Sequence, residues 1–275
     1  MPTAQVNGVK LYYEITGDGF PLVFSHEFAG DYRSWEPQVR FFSRRYKVIT
    51  YNHRGYPPSE VPTDSMAYSQ DISVEDLYQL LVYLNISKAH IAGLSMGANV
   101  TLNLGLKHPQ ACASLVVAGC GTGSTNREQF KQDAQVMVER LQKEGMEGVV
   151  DLITLGPSRI RLREKDLRGW QEFREQLLGH SALGSAFTFA GVQLKRPTIF
   201  ELEARLRELQ VPVLLLIGDG DEPCIDPTIF MKRHIPRAGL VTFPQSGHAI
   251  NLEEPDLFNR VMLDFLTMVE AGKWT

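Results

Sequence analysis

The residues of this chain best placed to do chemistry together are a serine, a histidine and a small group of acids. Ser95 stands in Gly93-Leu94-Ser95-Met96-Gly97, between the apolar run Ala89-His90-Ile91-Ala92 and a helical stretch from Ala98 to His108 that Pro109 closes. A G-x-S-x-G joining a strand to a helix makes a turn too tight for side chains at its glycines, and lifts the serine hydroxyl clear of the sheet. That hydroxyl is a weak nucleophile until a neighbouring imidazole accepts its proton, and the imidazole needs a carboxylate to fix its tautomer. The chain supplies both groups in the order Ser, Asp, His. Val211 to Gly218 reads as a buried strand and runs into Asp219, Asp221 and Glu222; Leu240 to Phe243 reads as the next strand and leads to Ser246-Gly247-His248. Both groups therefore leave strands at a carboxyl end, where open α/β sheets place their sites.

The elements needed to position these residues alternate along the first half of the chain. Val9 to Ile15 and Leu22 to Ser25 read as the opening strands, with a turn at Gly17-Asp18-Gly19. Ser34 to Arg44 reads as a helix and Lys47 to Tyr51 as a strand. Ser73-Val74-Glu75-Asp76 fits a capping box opening a helix through Asn85, and Ser114 to Ala118 reads as another strand. From about Asn126 to Arg207 the pattern turns helical, over Gln129 to Gly145, Gly148 to Leu155, Glu164 to Leu178 and Ala182 to Leu194. This predicts a core of residues 1–122 and 208–275 with an inserted helical cap at 123–207. The charged run from Arg159 to Asp166 reads as a solvated face of that cap.

Together these motifs resemble the α/β-hydrolase superfamily nearly end to end. Leu22-Val23-Phe24-Ser25-His26 is similar to the strand entering the family's oxyanion loop, and Asn52-His53-Arg54-Gly55-Tyr56-Pro57-Pro58-Ser59 resembles its D-x-R-G-x-G-x-S segment. The resemblance implies a mostly parallel eight-stranded sheet with helices on both faces. It also implies that Asp221 is the acid, by G-x-x-D spacing, rather than Asp219. Ser95 would attack a carbonyl carbon, His248 would take the proton, and water would then release the acyl group, with neither cofactor nor metal. The oxyanion would be held by the backbone N–H of Met96, the residue after the nucleophile, and by resemblance that of Phe28, with Glu27 as the fallback. The sequence departs from the family where Glu27 replaces the usual glycine after His26, and where Asn52 replaces an aspartate. A carboxylate facing the oxyanion would oppose its stabilisation, so the Glu27 side chain is expected to turn away from Ser95 into partial solvation. The alternative is a pocket-wall role, recognising a polar or cationic group on the substrate. His26 reads as structural, its ring bonded to nearby backbone.

Composition narrows the rest. A net charge of −4 without a basic block argues against nucleic acid, and no apolar run approaches the length of a membrane span. Cys112, Cys120 and Cys224 are too scattered for a disulfide scaffold or a zinc cluster, and read as buried fillers. A serine cannot replace the aspartate that sister epoxide and haloalkane enzymes use. The expected function is therefore hydrolysis of a small carboxylic ester or lactone. A carbon–carbon hydrolase and a ligand-binding protein on the same fold are the alternatives. Expected partners are a small-molecule acyl substrate, no membrane and, for assembly, a homodimer; the expected location is the cytoplasm.

Overall fold

The computed structural model describes residues 2–275. Eight strands form one sheet: β1 (Thr3–Val6), β2 (Val9–Thr16), β3 (Phe20–Ser25), β4 (Tyr46–Tyr51), β5 (Ala89–Leu94), β6 (Cys112–Ala118), β7 (Val213–Gly218) and β8 (Ala238–Phe243). Their spatial order is β1-β2-β4-β3-β5-β6-β7-β8, antiparallel through β2 and parallel from β4 onward. The expected eight-stranded, mostly parallel sheet is therefore present. Residues of β5 and β7 are buried throughout, as strands covered on both faces must be, which is why they read as unbroken apolar runs. The hairpin of β1 and β2, turned at Asn7-Gly8, gave no sequence expectation for its first strand because Thr3 to Val6 is only four residues long.

Helices α1 (Glu36–Phe42), α2 (Gln70–Tyr83) and α3 (Met96–Lys107) follow strands of the sheet's first half. Between β6 and β7 come α4 (Arg127–Glu144), α5 (Glu147–Thr154), α6 (Ile160–Lys165), α7 (Leu167–Leu178), α8 (Ala182–Thr188) and α9 (Glu203–Glu208). The chain ends through α10 (Glu222–His234), α11 (Ile250–Glu253) and α12 (Pro255–Glu270). Two corrections concern helix starts. Helix α2 is capped by Ser69, whose hydroxyl accepts the Ile72 N–H, whereas the Ser73 hydroxyl bonds back to the Ser69 carbonyl inside the helix. The helix expected over 164–178 breaks at Asp166, whose carboxylate caps α7 by accepting from the Gly169 N–H.

Strand alternation divides the core. Val23 and Ile91 face one cluster with Leu77 and Leu80 of α2 and Leu104 of α3; Leu22, Phe24 and Ala92 face another with Phe42 of α1 and Phe258, Met262 and Phe265 of α12. Each of these side chains but that of Ala92 contributes about 1.5–3 kcal/mol when removed from water. A third cluster joins the carboxyl end of the sheet to the helical segment: Phe28, Tyr56 and Met96 pack with Leu141, Val149, Phe173 and Val192. Ile199, Leu202 and Leu206, near the end of that segment, pack instead into the first cluster beneath the sheet.

Candidate active site

Ser95 lies at the join of β5 and α3 with φ 55° and ψ −110°. A positive φ on a residue with a side chain is strained and persists only when neighbours fix it. Here the Ser95 N–H donates to the Ala118 carbonyl at 2.9 Å, and its own carbonyl accepts from the Asn99 backbone and side chain, both at 3.0 Å. Gly97 is required by close approach: a Cβ there would lie 2.0 Å from the Ser25 carbonyl oxygen of β3. The motif's spacing thus reflects helix α3 seated directly against the neighbouring strand.

Asp221 and His248 arrive from β7 and β8. His248 Nδ1 lies 2.7 Å from Asp221 Oδ2, and both residues are buried. Gly119, with φ +53°, turns the chain at the end of β6, where a Cβ would come within 3.3 Å of both Asp221 Oδ2 and the His248 ring. Burial alone would discharge both partners, but each favours the other's ion: the Asp221 pKa is held below, and that of His248 above, its ordinary value. Asp219 is exposed, and its carboxylate accepts only from the Ser246 N–H at 3.2 Å. Ser95, Asp221 and His248 line one cavity of about 230 Å³.

Phe28 also lines that cavity, while Glu27 does not. Among the described residues, the Phe28 N–H has no protein acceptor, and that of Met96 lies in the first turn of α3, where intrahelical partners are lacking. The His26 ring holds this loop: Nε2 accepts from the His53 N–H at 3.1 Å, so Nδ1 carries the proton and donates to the Glu27 carbonyl at 2.7 Å. The Tyr56 hydroxyl donates to the Phe28 carbonyl at 3.0 Å.

Further residues take contacts around the site that their place in the sequence did not assign them. Glu253 accepts from the Gly247 and Ala249 N–H groups at 2.7 and 3.1 Å and so grips the loop carrying His248. Arg159 forms an ion pair with Glu27, the two side chains only 12% and 2% exposed. The expectation that residues 159–166 form a solvated face is thus corrected at Arg159, whereas Lys165 is exposed as expected while bonding Ser246 and Glu254. Glu27 is likewise buried rather than partly solvated, because Arg159 supplies the counter-ion that water would otherwise provide. Burial raises its pKa, but Arg159, together with His248 and the Ala29 N–H, outweighs that effect and holds it below the ordinary carboxyl value. His180 of the helical segment also stands 3.5 Å from the buried Asp31, just beyond the same loop.

Asp221, Cys224 and His248 bring ligand-type atoms within 4.8 Å of one another, but the His–Asp hydrogen bond already occupies the facing atoms. The three cysteines are buried and free. Burial raises the thiol pKa of Cys112 and Cys120 to about 12, and pushes that of Cys224 well up too. Among the described residues no helix is long and apolar enough to cross a membrane.

The model of the alpha/beta hydrolase fold matches residues 21–255. The 3-oxoadipate enol-lactonase 1 of Acinetobacter baylyi is 25% identical over 253 residues, covering 90% of this chain and 89% of that protein. The AB hydrolase superfamily protein YisY of Bacillus subtilis is 27% identical over 269 residues, covering 94% and 95%. Among solved structures, a thermophilic esterase from Thermogutta terrifontis superposes with a TM-score of 0.88 at 23% identity, covering 98% and 99%. With sheet order, the turn at Ser95 and these relatives in agreement, the chain belongs to the α/β-hydrolase fold family and is a hydrolase.

Proposed function

We propose that the protein cleaves a small carboxylic ester or lactone through an acyl-enzyme, with Ser95 as nucleophile, His248 as general base and Asp221 as the group that orients the imidazole. The observation that carries this reading is the buried 2.7 Å contact between His248 and Asp221 on the wall of the cavity that Ser95 also lines. With Nδ1 donating to Asp221, Nε2 is the nitrogen free to accept the serine proton. The carbonyl carbon is attacked by Ser95 Oγ, and the N–H groups of Phe28 and Met96 stabilise the oxyanion. His248 then protonates the leaving alkoxide, and a water activated by the same imidazole frees the acid and Ser95.

Helices α4 to α8 act as a cap in this reading. Phe130, Met137, Ile153 and Phe189 give the cavity an apolar wall, and its volume of about 230 Å³ suits a short acyl or alcohol group. The enol-lactonase among the relatives supports a lactone as well as an open ester. A fluorophosphonate should label the wild type at Ser95, and a panel of p-nitrophenyl esters, lactones and ring-cleavage dienoates should show turnover of the first two. Ser95→Ala and His248→Ala should each remove that turnover with the fold intact. An unlabelled wild type would remove the nucleophile from this account, and turnover of dienoates alone would make the enzyme a carbon–carbon hydrolase.

A further inference from the structure

Two consecutive residues of the helical segment touch the two loops that the proposed chemistry depends on. The Ser158 carbonyl accepts the His248 backbone N–H at 2.7 Å. Next to it, Arg159 reaches down between the cavity and the loop after β3 to pair with Glu27. Burying two charges costs free energy that good pairing must offset, and the side chain at position 27 forms no part of the cavity wall.

The geometry of the peptide after Glu27 gives the pair a consequence. The Phe28 N–H belongs to the planar unit that begins at the Glu27 carbonyl, so fixing that plane fixes the direction of the N–H. The carbonyl end is held by the His26 ring at 2.7 Å and by the Gly30 N–H at 3.3 Å. The Cα end carries the side chain that Arg159 grips. Arg159 also lies on the cavity side of the pair, so its positive charge screens the Glu27 carboxylate from the place where negative charge would develop.

We propose that Arg159 is a positioning residue: through Glu27 it sets the Glu27–Phe28 peptide that donates to the oxyanion, and it neutralises a carboxylate that would otherwise oppose that charge. The inference rests on the acyl-enzyme reading above. It makes the helical segment part of the catalytic geometry as well as the pocket wall, with Ser158 holding the base and Arg159 the hole.

The test compares Arg159→Met, Arg159→Lys, Glu27→Gln and the double variant Arg159→Met/Glu27→Gln, each first shown to be folded by thermal unfolding. On p-nitrophenyl acetate, Arg159→Met should lose on the order of 10²-fold in kcat, the scale of one lost oxyanion donor, with KM changed by less than about threefold. The double variant should recover about tenfold or more of that loss, since no charge is left unpaired. Arg159→Lys should retain most of the wild-type kcat. His248 faces Asp221, Arg159, Glu27 and, more weakly, Glu253. Its imidazole, followed by NMR, should therefore titrate at higher pH in Arg159→Met and return toward wild type in the double variant. Arg159→Met with kcat within about twofold of wild type, or a loss confined to KM, would overturn the proposal. So would a double variant as slow as Arg159→Met with the His248 titration unmoved. A wild type that fluorophosphonate does not label would instead refute the acyl-enzyme reading, and the NMR titration would still report on the Arg159–Glu27 pair.

Discussion

Two aspartates two positions apart differ in burial, and the proposed roles follow that difference. Asp221 is buried and meets the histidine ring, whereas Asp219 is exposed and supports only the backbone of the following loop. Asp221→Asn should therefore approach the loss of about 10⁴ in kcat seen when an orienting carboxylate is removed from a triad, and Asp219→Asn should cost far less. Steady-state kinetics on one ester decides it, and a reversed order of severity would move the acid to Asp219. The direction of the His248 shift adds a pH signature. Because Asp221 stabilises the imidazolium, the acid limb of kcat/KM should lie above the ordinary histidine value of about 6.5 and should fall back in Asp221→Asn.

Elements explain what the sequence could disclose. Strands β5 and β7 are covered on both faces, so their apolar runs announce them, and the residues at their carboxyl ends are local to recognisable motifs. The Arg159–Glu27 pair is of another kind: its members are 132 residues apart and each alone has the composition of a solvated surface charge. Only the docking of the helical segment turns them into partners. The same limit hid the grip of Glu253 on the histidine loop and misplaced the start of α2 by one turn, where two serines four residues apart compete for the cap. At this scale α4 carries a specificity prediction. Met137 lines the cavity from the helical side, so Met137→Ala should raise the preference for longer acyl chains by on the order of tenfold in kcat/KM. The fluorophosphonate labelling rate of Ser95 should stay near wild type; a labelling rate that fell with the size profile unchanged would place Met137 in positioning rather than selection.

Taken whole, the molecule is three apolar clusters around one sheet, with buried imidazoles between them. Burial lowers the His26 pKa to about 4, while in the unfolded chain it returns to about 6.5. Between those values the unfolded state holds the extra proton. His248, shifted upward, acts with the opposite sign, but the His26 contribution to stability is undiminished above about pH 6.5 and falls as pH drops toward 4. The shift corresponds to about 3 kcal/mol, and His53, also held well below its ordinary value by burial, acts with the same sign. Urea unfolding between pH 7.5 and 4.5 should show this slope, and His26→Gln, which keeps a donor and an acceptor, should flatten it; an equal slope in both proteins would exclude His26 as the source. The molecule also carries its own probes of loosening. Cys112 opens β6 and borders a surface cavity, Cys120 follows the same strand's far end, and Cys224 lies in α10 behind the Asp221–His248 pair; all three are protonated in the folded state, and Cys120 and Cys224 are fully buried. An alkylating reagent can modify Cys120 and Cys224 only in molecules that have opened at that place, whereas Cys112, beside a cavity, serves as the internal reference for a thiol slowed by its raised pKa. The order in which iodoacetamide marks Cys120 and Cys224, read by mass spectrometry, would therefore show whether the end of β6 or helix α10 beside Asp221 loosens first.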